Sequence, residues 1–140
     1  MQRVNRAEVW RAQQYHPAHL FSTLKIDVEG MDYQVLLGGA ETIERFRPFL
    51  YMEAKKSAQT AAAIQWLQSR DFNVFWHFAA FYSKENYRDN PENVFGGRGD
   101  INLIALPRES EIRPSLPQIE SPESDWQANY RQFLQAEHRE

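Results

Sequence analysis

Four side chains able to hold a positive group or to move a proton stand near the ends of apolar segments. Asp27 and Glu29 come where the run FSTLKIDV stops, Glu53 closes the run PFLYME, and His77 lies in the run NVFWHFAAFY. Carboxylates and imidazoles are the side chains that most often take a proton from a reacting hydroxyl. These four residues are therefore the first candidates for chemistry in this chain.

The segments around these residues alternate between strand and helix patterns. Apolar runs with β-branched residues predict strands, and apolar positions three and four apart predict helices. The strands are predicted at 21–28, 48–54, 73–82 and 100–107, and the helices at 31–46 and 57–72, with a long loop at 83–99. Gly38-Gly39 predicts a kink in the first helix, and Ser57 is a suitable N-cap for the second. This order predicts an α/β fold with a mainly parallel sheet whose last strand runs antiparallel to its predecessor.

Such a sheet gathers the four candidate residues at one rim. Ligands of open α/β sheets bind beyond the carboxyl ends of the parallel strands, where Asp27, Glu29 and Glu53 leave their strands and His77 lies nearby. The alternative for Asp27 and Glu29 is helix capping, since carboxylates stabilise a helix N-terminus by about 0.3–1 kcal/mol. For His77 the alternative is a packed core histidine. The patterns alone leave both alternatives open.

Composition excludes several other functions. The net charge of −3 is spread along the chain, so we expect no nucleic-acid partner. With no cysteine and no stretch of eighteen apolar residues, we expect neither disulfides nor a membrane span, and a cytoplasmic location. Three rim carboxylates could bind a divalent cation, but no metal-site spacing is present, and His16 and His19 fit a surface loop. No metal is predicted.

The block LKIDVEGMDYQVLLGGAETIERFRPFLYMEAKK resembles the FkbM-type methyltransferase family. The matching signature is K-I-D-V-E-G, then an acidic residue, V-L, G-A, R-P and a strand that ends in Glu. The likeness extends over about residues 20–108. It implies the C-terminal half of a class I, Rossmann-like methyltransferase sheet of about four strands, followed by a C-terminal helix.

The resemblance also implies a chemistry. The cofactor would be S-adenosylmethionine, and the acceptor would be a hydroxyl of a sugar or a natural product. Asp27 would lie nearest the methyl donor with Glu29 beside it, and Glu53 or His77 would be the base. Family members open with a glycine-rich turn and an acidic residue that holds the ribose, yet the first twenty residues here contain no glycine. We therefore expect a truncated domain that is weak or inactive alone.

The sequence suggests four regions and an alternative function. The regions are an N-terminal arm at 1–20, the partial domain at 21–108, a proline-rich linker at 109–121, and an amphipathic helix at 122–140 with Ser121 as its N-cap. The strand LKIDV would lack its family neighbour and leave an open edge. The N-terminal arm could fold over this edge. Alternatively, the chain could be a non-catalytic remnant or interaction module, paired there as a homodimer or with a partner chain that completes the sheet.

Overall fold

The computed structural model of the protein describes residues 22–55 and 57–137, with side chains described as far as residue 131. The N-terminal arm, including His16 and His19, lies outside the described residues. The elements are β1 (Thr23–Ile26), α1 (Asp32–Gly38), α2 (Ala40–Phe46), β2 (Phe49–Glu53), α3 (Ala58–Gln68), β3 (Phe72–Ala80), β4 (Gly99–Pro107) and α4 (Trp126–Glu137).

The strands form one sheet in the order β1-β2-β4-β3. β1 and β2 are parallel, whereas β4 runs antiparallel to both β2 and β3. The mixed α/β class and the antiparallel last strand are confirmed. The expectation of a mainly parallel sheet needs correction, because β4 inserts between β2 and β3 and leaves β1–β2 as the parallel pair. β1, β2 and β3 still point the same way, so their carboxyl ends share one rim.

The hydrophobic core lies between one face of the sheet and the helices. Buried strand residues include Ile26, Leu50 and Val74, and α1 and α3 contribute Leu36 and Leu67. Along each strand, alternate residues point to opposite faces of the sheet. Strand residues that alternate with the buried ones, such as Tyr51 and Glu53, therefore face away from these helices.

The kink expected at Gly38-Gly39 is confirmed as a break between two helices. Gly39 ends α1 by donating its N–H to Val35 O at 2.9 Å, and its carbonyl accepts from Ile43 N at 2.9 Å. A Cβ at this position would lie 3.3 Å from Val35 O. Glycine thus lets the chain turn closely between α1 and α2.

Of the N-caps predicted for the two later helices, one is confirmed and the other is wrong. Ser57 caps α3 as predicted, because its Oγ accepts from Thr60 N at 3.2 Å. The expected cap of the last helix at Ser121 is wrong. α4 begins at Trp126, and Asp125 Oδ1 accepts from Ala128 N at 3.0 Å.

α4 packs against its own domain through Trp126. The ring of Trp126 stacks on Phe78 of β3 at 6.0 Å between centroids and 8° between planes, and Tyr130 meets both rings edge-on. Two further apolar residues of the predicted amphipathic helix, Phe133 and Leu134, have side chains outside the described set. The described part of the helix therefore covers the end of β3.

The proline-rich segment before α4 also joins the sheet. Trp76 N donates to Pro117 O at 2.9 Å, and Ile119 N donates to Val74 O at 2.8 Å. Backbone of the segment thus pairs with the outer edge of β3. Within residues 22–55 and 57–137, no helix is both long and apolar enough to cross a membrane.

Candidate functional site

The rim residues lie in a register that crosses three strands. Glu53 of β2 is paired with Asn102 of β4, and Asn102 is paired with His77 of β3. Side chains at paired positions share a face of the sheet. The end of β2, the middle of β3 and the start of β4 therefore present one polar row on the face away from the helices.

Two of the predicted carboxylates meet through a lysine. Lys55 Nζ lies 2.8 Å from Glu29 Oε2 and 3.3 Å from Glu53 Oε2. The pKa of Lys55 is raised. The hydrogen bond to Glu29 is the largest cause, and the contact with Glu53 is the next. Lys55 thus brings the residues after β1 and at the end of β2 to one point of the rim.

Glu29 reaches Lys55 from a strained turn. Its φ is 48° and that of Gly30 is 88°, so two successive residues adopt the left-handed region. Glycine tolerates that region, whereas a non-glycine residue adopts it at some cost. The turn sends the chain from β1 into α1 and leaves the Glu29 side chain 84% exposed.

Asp27 lies at the same rim but has a different partner. Its Oδ2 is 3.1 Å from Lys25 Nζ, and both side chains are more than half exposed. Such a surface ion pair contributes about 0–1 kcal/mol and exchanges partners easily. Asp27 is therefore open to a ligand. It does not cap the following helix, since α1 begins at Asp32 without a side-chain cap.

Glu53 is the most enclosed of the predicted carboxylates. Its side chain is 22% exposed, and Oε2 has no hydrogen-bond partner among the described residues. The contact of Oε2 with Lys55 is an ion pair. Oε2 is therefore buried, and its negative charge is balanced by the Lys55 ammonium group 3.3 Å away.

His77 is joined to Tyr51 of β2. Tyr51 Oη lies 3.1 Å from His77 Nδ1, and the rings meet edge-on with centroids 5.7 Å apart. Burial raises the pKa of Tyr51, so the phenol stays protonated. One ring nitrogen of His77 is therefore engaged within the sheet.

Asp32 is a further carboxylate of this region. It is 8% exposed, its Oδ2 accepts from Gly30 N at 3.3 Å, and its Oδ1 has no hydrogen-bond partner among the described residues. Asp32 and Glu53 line the same small cavity of about 20 Å³ beside Lys55. A water molecule needs at least about 10–15 Å³, so the cavity has room for a small polar group.

The structure thus adds residues that the sequence did not single out as functional. Lys55 and Asp32 both lie in the family block quoted above. Asp32 is the acidic residue that follows K-I-D-V-E-G in the signature, so the motif could have pointed to it. Tyr51 and Asn102 carried no such signal, because only strand register brings them to His77 and Glu53. Among the described residues, no three His, Asp or Glu side chains are grouped closely enough to hold a metal ion.

Comparison with known proteins agrees with the family block. Residues 15–74 match the family model described as the Methyltransferase FkbM domain. No curated protein and no solved structure matches the chain. This match confirms the resemblance for a segment that includes β1, β2 and α3. The matched domain indicates a methyltransferase.

Proposed function

We propose that the rim of β1 and β2 serves methyl transfer from S-adenosylmethionine to a hydroxyl of a sugar or natural product. One observation carries the proposal. The segment that matches the methyltransferase model ends its second strand with Glu53, a partly enclosed carboxylate that lies at the rim beside Lys55. Such a group can accept the proton of a hydroxyl that becomes a nucleophile.

S-adenosylmethionine, when bound, would supply an electrophilic methyl group. Asp27 and Glu29 would hold the positively charged part of that molecule, since both carboxylates are exposed at the rim. Opposite charges a few ångströms apart attract by about 1 kcal/mol in water and more where solvent is restricted. The charge of these side chains fits the donor.

Glu53 is the base in this proposal. Lys55 lies 3.3 Å from Oε2 and orients the carboxylate, whose side chain is 22% exposed and in this proposal meets an acceptor hydroxyl at the rim. His77 is the second candidate, with Nδ1 engaged by the Tyr51 hydroxyl. We expect activity of the isolated chain to be weak, and a cytoplasmic location remains part of the proposal.

The test is calorimetric titration of the purified chain with S-adenosylhomocysteine. We expect micromolar to millimolar binding that is lost in Asp27→Ala and kept in Glu111→Ala, a carboxylate exposed in the segment before α4. The proposal is contradicted for this chain if no heat is released at millimolar ligand. Equal binding by the two variants would remove Asp27 from the site.

The second candidate function is pairing through the outer edge of β1. Among the described residues β1 pairs with β2 alone, and Phe49 N donates to Ser22 O. The alternation of a parallel ladder then places the N–H and C=O groups of Thr23 and Lys25 on the open side. We propose this edge as the place where a strand of a second copy or of a partner chain adds to the sheet.

Light scattering after size exclusion tests the pairing. Thr23→Pro removes an outward N–H and is tolerated at an edge, so it should turn a dimer into a monomer without unfolding the chain. Glu111→Pro, in the exposed segment before α4, is the matched control and should leave the dimer intact. A wild-type monomer at high concentration would rule out self-pairing, and a pull-down with residues 22–137 would then address a partner chain.

A further inference from the structure

The segment made of the end of β1 and the two residues after it is complementary to itself. Apolar residues alternate with one basic and one acidic residue, in the order Leu24, Lys25, Ile26, Asp27, Val28. Read in the opposite direction, the segment has the acidic residue where the basic one stood, and the basic one where the acidic one stood. Two antiparallel copies can therefore place opposite charges directly across from each other.

The structure presents this segment as an open, extended edge. Among the described residues β1 pairs with β2 alone. The ion pair of Lys25 with Asp27, at 3.1 Å, joins two side chains on one face, as expected for residues two apart in an extended chain. Positive φ begins only at Glu29, beyond the segment. Lys25 and Asp27 are both more than half exposed, so the side chains of a second chain have access to them.

The backbone of the edge fits the same arrangement. Thr23 and Lys25 turn their N–H and C=O groups to the open side, and Asp27 continues this alternation. In an antiparallel pair, residues that turn these groups toward each other exchange two hydrogen bonds. A two-fold axis at Ile26 brings Lys25 opposite the partner's Asp27, so that both residues find backbone partners.

Other registers of the same pairing are less favourable. With the axis at Lys25, two ammonium groups would stand directly opposite each other, and like charges in that position destabilise a strand pair. With the axis at Leu24, Ile26 would face the partner's Ser22, and Lys25 would face a threonine. Of these three registers, the axis at Ile26 alone gives opposite-charge pairs, which stabilise a sheet.

The register centred on Ile26 also covers an exposed apolar side chain. Val28 is aliphatic and yet 39% exposed. In this register Val28 stands opposite the partner's Leu24, on the same face as Ile26. Leu24 itself packs against the hydrophobic core. Pairing therefore extends the core across the axis on one face of the sheet and places the charged pairs on the other.

From these observations we propose that two copies of the chain form a symmetric dimer, in which their β1 strands pair antiparallel with the axis at Ile26. A two-fold interface uses the same patch on both copies, and a self-complementary segment meets that condition. The inference rests on the second candidate function, for which it names the partner and the register, and it does not depend on methyl transfer. In the dimer the partner's Lys25 stands beside Asp27 at the rim.

Exchange of charges tests the register. In light scattering after size exclusion at low ionic strength, Lys25→Asp and Asp27→Lys should each weaken the dimer about fivefold or more, because each creates two pairs of like charges. The doubly substituted chain, and an equimolar mixture of the two single variants, should recover the wild-type dimer. Lys84→Asp and Glu111→Lys make the same changes of charge at exposed positions outside the edge and should leave the dimer unchanged.

A cysteine placed at the axis tests the register independently, because the chain has no cysteine of its own. Opposite residues at a non-hydrogen-bonded position have Cα atoms about 4.5 Å apart, within the range that a disulfide spans. Under mild oxidation Ile26→Cys should therefore form a covalent dimer, and Leu24→Cys should form much less of it. Equal or preferential cross-linking of Leu24→Cys would refute the register.

The results separate the register from the edge itself. Charge variants that dimerise as the wild type does, or a mixture that stays monomeric, would overturn the register even where Thr23→Pro still breaks the dimer. A wild-type chain that is monomeric at millimolar concentration would overturn the pairing altogether. Calorimetry with S-adenosylhomocysteine uses neither readout, so methyl transfer stands or fails separately. Thermal unfolding of each variant checks that it folds.

Hydrogen exchange distinguishes a second copy from the N-terminal arm as the cover of the edge. The amides of Thr23 and Lys25 should be protected at concentrations where the dimer forms and should exchange freely on dilution. Protection that persists in the diluted monomer would assign the edge to another segment of the same chain, and the dimer would be rejected.

Discussion

Arg47 and Glu109 stand 62 positions apart in sequence and form a two-point ion pair. Arg47 Nε lies 2.8 Å from Glu109 Oε1, and the second contact, from Nη2 to Oε2, is 2.9 Å. Arg47 also donates to the carbonyl oxygens of Arg70 and Asp71 and lies 4.3 Å over the ring of Phe72. One arginine thus ties the end of α2 to the start of β3 and to the segment after β4.

The first prediction concerns the pH dependence of this pair. The hydrogen bond from Arg47 lowers the pKa of Glu109 from 4.5 to about 2. A carboxyl with a depressed folded pKa contributes stability above its unfolded pKa, and loses it as the pH falls through the folded pKa. The unfolding free energies of wild type and Glu109→Gln should therefore differ at about pH 6 and converge near pH 2.

The size of the difference is limited by solvent. Glu109 is 60% exposed, so screening should hold the contribution to about 1 kcal/mol. Urea unfolding at several pH values measures it, and Glu111→Gln is the control without this ion pair. A difference that stays constant from pH 6 to 2 would show that Glu109 acts through packing instead of charge.

The second prediction concerns Gly99, where β4 begins. A Cβ there would overlap the carbonyl oxygen of Ala79 and lie 2.8 Å from ring atoms of Phe78. Because backbone on the paired strand cannot move aside, Gly99→Ala should destabilise the fold by about 3 kcal/mol or more. Gly97→Ala meets no atom within 4 Å and should be nearly neutral in the same thermal unfolding assay. Equal stability of the two variants would contradict the close approach of β3 and β4.

The third prediction concerns Lys55. Without its ammonium group, Glu29 and Glu53 would face each other unshielded, and Glu53 is the more enclosed of the two. Lys55→Gln should therefore lower stability at neutral pH and low salt, and the loss should shrink as added salt screens the repulsion. Lys84→Gln, in the loop after β3, is the control and should change little at either salt concentration. A loss that grows with salt would be inconsistent with charge repulsion.

The fourth prediction concerns Tyr51. Burial raises the pKa of its phenol above 10, and a group with a raised folded pKa contributes stability below its unfolded pKa. Stability should therefore fall as the pH rises beyond about 10, and less so in Tyr51→Phe. At neutral pH the variant should lose about 1 kcal/mol through the bond to His77. Alkaline titration by ultraviolet absorbance and urea unfolding measure these effects, with the fully exposed Tyr87→Phe as control.

Local patterns were sufficient for most of the elements. Strand and helix periodicity predicted the segments around Ile26, Leu50 and Ile64, and the glycine pair predicted the break at Gly39. Propensity could not place the start of α4, because Ser121 and Asp125 are both good caps. The backbone decided between them, since Ser121 lies in a turn and Asp125 immediately precedes the helix.

The sequence by itself determined that Asp27, Glu29 and Glu53 would share a rim, since parallel strands bring their carboxyl ends together and the family block names the same positions. The tertiary structure alone decided that β4 enters between β2 and β3, because strand pairing depends on contacts distant in sequence. That insertion aligns Asn102 with both Glu53 and His77.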